Sequence, residues 1–181
     1  MTPKFKPVSD SRLEISELML PSHSNFSGKI HGGFILSLLD QIAFACASKY
    51  SGSYCVTASV DTVDFLKPIE IGELVTMKAS VNFVGNTSIV VGIRVEAENI
   101  QNGTVKHCNS SYFTMVAKDD EGNSVKVPGL ILESEKDLKR FFKSVKRNQL
   151  RKERHDYANE LDYTVNELIH ELEGYNVKID I

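Results

Sequence analysis

Two kinds of residue between His31 and Tyr50 could take part in chemistry, and the run that holds them has helical character. Gly32 and Gly33 stand at its start, where backbone N–H groups lack partners and the helix dipole presents about half a positive charge. Asp40 follows seven residues later in an otherwise apolar run. Because burial of an unpaired charge is costly, this carboxylate either faces water or is held for a purpose.

The residues alone leave a structural and a chemical interpretation open. Two glycines can simply allow a helix to pack closely on a sheet. Ser37, Asp40, Gln41 and Ser48 recur at helical spacing, so they can form a narrow polar stripe. The five histidines and three cysteines show no metal-type spacing, and we therefore predict no metal site.

The remaining pattern predicts an α+β fold in which one enclosed helix is wrapped by an antiparallel sheet of about five strands, a hot-dog layout. Apolar residues surround the helix that begins at Ile30 for about five turns. Five runs have strand character, and the short links between them indicate a meander. The predicted strands are Ser11–Leu20, Ser53–Leu66, Glu73–Val84, Thr87–Asn99 and Val105–Asp119.

A change in composition after the strands predicts two parts, a domain over residues 1–130 and a charged helical extension over residues 131–181. Between Lys136 and Arg154, nine basic residues face two acidic ones. A solvated helix explains this charge better than a dedicated anion site.

Composition limits the remaining choices. With 181 residues, 41% hydrophobic residues and a net charge of −3, the chain suits one domain with a real core, and nothing indicates a dedicated nucleic-acid binder. Three cysteines without pairing signals predict reduced thiols and a cytoplasmic protein. The N-terminus has no apolar signal segment and no stretch is long enough to span a membrane, so we expect neither secretion nor a membrane anchor.

Several motifs in order resemble the hot-dog acyl-CoA thioesterases of the acyl-CoA hydrolase family. The first is N-x-x-G-x-x-H-G-G followed by D, which begins at Asn25 and ends at Asp40. The others are VTASVDTVDFLKPIEIGE, GNTSIVVGIRVEAEN and FTMVAKDDEG, and the resemblance extends from Ser11 to about Asn159. One departure is Asn86, where family members often carry a basic residue.

The resemblance implies hydrolysis of fatty acyl-CoA to a free acid and coenzyme A, with no metal or redox cofactor. Asn25 would orient water or the thioester, Gly33 N–H would bind the developing oxyanion, and Asp40 would be a general base or a nucleophile. For His31, a lone histidine beside two glycines, the residues themselves predict a helix cap or a wall residue. The residues expected to bind the substrate are Gly32, Ala58, Ser59, Val60, Thr87, Ser88 and Ile89.

Spacing adds a prediction about assembly. Gly33 and Asp40 are seven positions apart, which is about 10 Å along a helix, so one thioester does not easily touch both in one chain. Two antiparallel central helices would bring Asp40 of one subunit to Asn25 and Gly33 of the other. The minimal active unit is thus expected to be a homodimer, and the resemblance suggests a homohexamer built as a trimer of dimers.

Two other functions remain open from the sequence, a hot-dog sensor that binds acyl-CoA without turnover and an oligomeric scaffold or nucleic-acid binder that uses the basic C-terminal helix. The intact Asp40 disfavours the sensor, and the weak chain-wide charge disfavours the scaffold. The acyl chain length preferred by the site cannot be read from the sequence.

Overall fold

The computed structural model describes residues 4–160, 164–172 and 174–180. Residues Met1–Ser144 and Val145–Ile181 form two compact units, and the prediction of a division at residue 131 stays a prediction. Residues 161–163, 173 and 181 of the predicted C-terminal extension lie outside the described part of the chain.

The first unit is built on a five-stranded antiparallel sheet and one long helix. In chain order its elements are β1 (Phe5–Pro7), β2 (Leu13–Leu18), α1 (Gly32–Ser51), β3 (Tyr54–Val60), β4 (Glu73–Val84), β5 (Ser88–Asn99), β6 (Thr104–Lys118), β7 (Gly129–Ile131) and the start of α2 (Glu135–Glu160). Short 3₁₀ turns occupy Val8–Ser11 and Pro21–His23. The second unit holds the rest of α2 and α3 (Val165–Glu171).

The curled sheet has the strand order β2-β4-β5-β6-β3, and α1 contacts every one of these strands. The predicted hot-dog layout of about five strands around a central helix is confirmed. The core lies between α1 and the inner sheet face, where Leu39, Ile42, Val91 and Met115 are fully buried.

The prediction of a simple meander is wrong at β3. Strands β4, β5 and β6 do follow one another, but β3 pairs with β6 at the opposite edge of the sheet from β2. The chain between Val60 and Glu73 therefore crosses from one edge region to another, which leaves α1 room to pack on the inner face. The predicted strand also ends early, at Val60 instead of Leu66, although Asp61 N–H and Leu66 N–H still donate to carbonyls of β6.

A second, two-stranded sheet was not predicted. Strand β1 pairs in parallel with β7, and Tyr50 at the end of α1 donates its hydroxyl to the Gly129 carbonyl at 2.6 Å. These contacts attach both flanking segments to the C-terminal end of α1. Within the described residues, no helix is long and apolar enough to cross a membrane.

Candidate active site

The N-terminus of α1 is capped by the residue before its two glycines. Gly33 N–H donates to Nδ1 of His31 at 3.0 Å, so His31 is the helix cap that the sequence predicted. A Cβ added to Gly32 would lie 3.3 Å from the ring of Phe65. Gly32 therefore allows the helix to pack closely against Phe65. The Gly33 amide is a donor at the helix end, and the imidazole of His31 accepts its hydrogen bond.

Asn25 organises the loop that leads into α1. Its Oδ1 accepts hydrogen bonds from Ser27 N–H at 2.9 Å, Ser27 Oγ at 2.7 Å and Lys29 N–H at 3.2 Å. We find no hydrogen bond from its Nδ2 within the described ranges. Because Oδ1 already accepts hydrogen bonds within the loop, the side chain can interact with a substrate mainly as a donor, through Nδ2.

Asp40 is exposed in the middle of α1 and has one hydrogen-bond partner, a threonine that the sequence analysis did not select. Thr57 on β3 donates its hydroxyl to Asp40 Oδ1 at 2.6 Å. This bond fixes one carboxylate oxygen, and no hydrogen bond to Oδ2 is found within the described residues. The predicted polar stripe is present only in part: Ser37 and Gln41 are exposed beside Asp40 and hydrogen-bonded to each other, whereas the hydroxyl of Ser48 is buried.

A groove of about 550 Å³ opens at the Asp40–Thr57 pair. Its lining consists of Asp40, Gln41, Phe44, Tyr54, Cys55, Val56 and Thr57. Neither Asn25 nor Gly33 lines this groove, and neither is hydrogen-bonded to Asp40 in the described part of the chain. The single chain thus brings Asp40 together with Thr57 but does not bring it together with the other two predicted catalytic residues.

The predicted substrate-binding residues divide into two groups. Ala58 and Val60 on β3 are exposed, and Ala58 sits at a β-bulge between Thr57 and Ser59, where the ladder is interrupted and backbone groups become available. Thr87 and Ser88, at the start of β5, are half-buried together with Ser59.

The expectation for Ile89 stays a prediction, and the structure restricts the kind of contact it could make. Its side chain is 0% exposed and packs in the hydrophobic core with Val91 and Met115. Side chains alternate along a strand, so the half-buried Ser88 and the buried Ile89 face opposite sides of the sheet. Any contact of Ile89 with a coenzyme would therefore have to come from its backbone.

Neither a cysteine nucleophile nor a metal site is supported by the described residues. Cys46, Cys55 and Cys108 are free and buried, and burial raises the pKa of the Cys46 thiol to about 12. A thiol held in that state is a poor nucleophile, because the thiolate is the reactive form. Among the described residues, no three His, Cys, Asp or Glu side chains lie close enough together to hold a metal ion.

A family model described as the thioesterase superfamily matches residues 27–104. The chain is 41% identical to protein VdlD of Helicobacter pylori over 78% of this chain and 80% of that protein. It is 31% identical to the uncharacterized acyl-CoA thioester hydrolase YkhA of Bacillus subtilis, over 88% of this chain and 93% of that one.

Solved structures show the same similarity. An acyl-CoA hydrolase from Staphylococcus aureus, in complex with butyryl coenzyme A, coenzyme A and coenzyme A disulfide, is 31% identical with a TM-score of 0.80, over 86% of this chain and 95% of that chain. A hexameric acyl-CoA thioesterase is 34% identical with a TM-score of 0.82, over 84% and 97%. Structures also exist of variants of the S. aureus enzyme in which an aspartate, a threonine or an asparagine is replaced by alanine.

Proposed function

The chain belongs to the thioesterase superfamily, among the hot-dog acyl-CoA hydrolases, and we propose that it hydrolyses fatty acyl-CoA to a free fatty acid and coenzyme A at a site shared by two subunits. It is a thioester hydrolase. The observation that carries the assignment of the site is the Thr57–Asp40 hydrogen bond of 2.6 Å at the mouth of the groove between α1 and β3.

In the proposed mechanism, Asp40 activates water. Its Oδ1 is held by Thr57, and Oδ2 accepts a proton from a water molecule that attacks the thioester carbonyl carbon. The carbonyl electron pair moves to oxygen, and collapse of this oxyanion breaks the C–S bond. Coenzyme A leaves as a thiolate and takes the proton from Asp40. The alternative, direct attack by the carboxylate to give a transient anhydride, uses the same residue.

The Gly33 amide is the proposed donor to the oxyanion. It lies at the positive end of α1, where charge that develops on the carbonyl oxygen is stabilised most. Because Gly33 N–H donates to His31 Nδ1 in the free subunit, the carbonyl oxygen must displace the imidazole or share the donor with it. The free Nδ2 of Asn25 can orient the water or the thioester from the same loop region.

A second subunit is needed to complete this arrangement. The exposed stripe of α1 carries the apolar Leu36 and Phe44 beside Asp40, and β3 is an edge strand with exposed Tyr54 and Val60. Such a face calls for cover by another protein surface. A two-fold pairing of this face brings Asn25 and Gly33 of one subunit to Asp40 of the other and makes two sites.

Three such dimers would form the proposed hexamer, the state of a structurally similar thioesterase. The coenzyme would lie along the β3 bulge at Ala58, Ser59 and Val60, with Thr87 and Ser88 as further contacts. No cofactor is needed, because water is the second substrate and coenzyme A is part of the first. Free cysteines are typical of a reducing compartment, and we place the enzyme in the cytoplasm.

The test is an assay of thiol release from a series of straight-chain acyl-CoA thioesters, with the Asp40→Asn protein as the blank. We expect thiol release from the wild-type protein and nearly none from the variant. Tight binding of acyl-CoA without thiol release would instead identify a non-catalytic sensor. Salt-sensitive retention of RNA or DNA without thiol release would identify a nucleic-acid binder.

A further inference from the structure

Two aromatic side chains line the groove and have no part in the chemical steps, although they also lie on the face that we propose a second subunit covers. Phe44 on α1 and Tyr54 on β3 meet edge to face, with ring centroids 5.4 Å apart and planes inclined at 62°. Both rings line the same groove as Asp40 and Thr57. The side chain of Phe44 is 37% exposed and that of Tyr54 is 63% exposed. Exposure of so much apolar surface to water has a free-energy cost unless another group covers it.

The aromatic pair lies on one defined side of the catalytic pair. Phe44 is four residues after Asp40 on α1, which places it about 6 Å further along the helix axis. Tyr54 precedes Thr57 by three residues on β3. Because Asp40 meets Thr57 and Phe44 meets Tyr54, helix and strand run in opposite directions, and Ala58 to Val60 lie on the other side of the catalytic pair.

The chemistry of the two sides differs. Beyond the Asp40–Thr57 pair, the lining consists of Gln41, Phe44, Tyr54, Cys55 and Val56, in which the Gln41 amide is the polar side chain among mostly apolar surface. The opposite side holds the bulge at Ala58, whose interrupted ladder exposes backbone donors and acceptors. A hydrocarbon chain is stabilised by leaving water for the apolar side, next to Phe44 and Tyr54. The two amides of a pantetheine arm need hydrogen-bond partners, which the backbone at the Ala58 bulge can offer.

We propose that Phe44 and Tyr54 form the end wall of the acyl-binding groove and set an upper limit on acyl chain length. This inference rests on the proposed function. A staggered chain advances about 1.25 Å per carbon for C–C bonds of about 1.5 Å, so the roughly 6 Å from Asp40 to Phe44 accommodate about five carbons beyond the carbonyl. The substrate class is therefore short acyl-CoA thioesters of up to about six carbons.

The first test is the dependence of kcat/KM on acyl chain length in the wild-type protein. Each methylene that enters the groove should raise kcat/KM about fourfold, up to roughly hexanoyl-CoA, after which the gain should stop or reverse because the wall must be displaced. A profile that keeps rising from butyryl-CoA through lauroyl-CoA would overturn the inference, whatever the variants do.

Variants of the wall give the second test, with Leu36→Ala as a matched control. Leu36 lies one turn before Asp40 on α1, has the same 37% exposure as Phe44 and does not line the groove. We expect Phe44→Ala to raise the lauroyl-to-butyryl ratio of kcat/KM at least tenfold and Tyr54→Ala to raise it in the same direction. Phe44→Trp should lower the hexanoyl-to-butyryl ratio, and Leu36→Ala should change neither ratio.

The outcomes separate the two proposals and a purely structural role. Thiol release with a chain-length profile that no wall variant shifts would overturn the end wall and leave the hydrolase assignment intact. A wall variant whose molar mass by light scattering changes while its lauroyl-to-butyryl ratio does not would identify the aromatic pair as a subunit contact only. That result would also overturn the end-wall proposal. Absence of thiol release from every acyl-CoA tested would overturn both proposals.

Discussion

Asp40 is tolerated in an apolar helix because its side chain reaches water and also has a good hydrogen-bond donor. It is exposed, and the 2.6 Å bond from Thr57 orients the carboxylate without removing it from solvent. A charge in such a position has little desolvation cost to repay. Its position among apolar neighbours therefore needs no buried partner charge, and it leaves the carboxylate accessible for the proposed chemistry.

Asp40→Asn should separate charge from shape. The amide oxygen can still accept the Thr57 hydrogen bond, so we expect a stability change within about 0.5 kcal/mol, as for exposed sites in general. Without a base, kcat should fall by about 10² to 10⁴. Urea unfolding and thiol release measure the two effects. Asp120→Asn, an exposed acid in the loop after β6, is the control, and near-normal turnover of Asp40→Asn would leave Asp40 as part of a polar stripe.

Thr57→Val tests whether the hydroxyl works through Asp40. Valine keeps the shape of the side chain but removes the hydrogen bond, so the carboxylate loses its fixed orientation, and we expect kcat to fall about tenfold, the effect of 1.4 kcal/mol in the barrier. In an Asp40→Asn background the same change should cost much less, because coupled residues are not additive. An equal loss in both backgrounds would show that Thr57 acts independently of Asp40.

Some of the candidate site residues could be identified from the sequence and others could not. Asn25, Gly33 and Asp40 were selected through a motif, and their catalytic roles stay predictions. Thr57 was missed because its contact with Asp40 joins a strand to a helix, and no local period reports such a contact. The burial of the Ile89 side chain follows from alternation along β5, which places it on the same face as Val91, and its contact with the coenzyme stays a prediction.

At the scale of elements, α1 and four of the strands were predicted within about two residues of their observed bounds, because their apolar periods are long and clear. The pairing of β3 with β6 was not predicted, since strand order depends on contacts between distant residues. Strands β1 and β7 have three residues each, and β1 ends in a proline, so neither carries a readable strand pattern. They exist because the two segments meet beside Tyr50.

The outer sheet face carries a charge cluster whose pH dependence can be predicted. Hydrogen bonds from Lys78, on β4, and then from Arg94, on β5, lower the pKa of Glu96 from 4.5 to about 2. A carboxyl with a lowered pKa stabilises the fold above its unfolded pKa, and this contribution is lost as the pH falls through the folded value. Because Lys78 and Arg94 are about half exposed, the contribution should be about 1 kcal/mol or less.

We therefore expect the difference in unfolding free energy between wild type and Glu96→Gln to be largest above about pH 5, to decrease as the pH falls, and to vanish only below about pH 2. Urea unfolding at a series of pH values measures it without adding salt. Glu98→Gln, two residues along β5 and without an ion pair among the described residues, should show no such trend. A difference that grows towards low pH would contradict the assigned ion pairs.

At the scale of the whole molecule, one chain holds the parts of an active site without assembling them. Asp40 and Thr57 lie at the groove, whereas Gly33 is about 10 Å away along the same helix and Asn25 lies in the loop before it. Exposed apolar side chains on α1 and β3 surround the groove. Both facts are explained if a second copy covers this face and supplies the missing donors.

The most direct test mixes two inactive proteins. Asn25→Asp keeps the oxygen that accepts from Ser27 and Lys29 but removes the Nδ2 donor, and Asp40→Asn removes the base. Each protein alone is expected to be nearly inactive. If the two are unfolded together and refolded in equal amounts, random pairing makes about half of the dimers mixed, and each mixed dimer carries one intact site of two.

The refolded mixture should therefore recover roughly a quarter of wild-type thiol release if the two sites act independently. Different affinity tags on the two variants report whether mixed dimers are present, and each variant refolded alone is the control. Recovery near a quarter is the result predicted by a site shared between subunits. A mixture that contains mixed dimers and stays as inactive as its parents would contradict it, because Asn25 and Asp40 would then act within one chain.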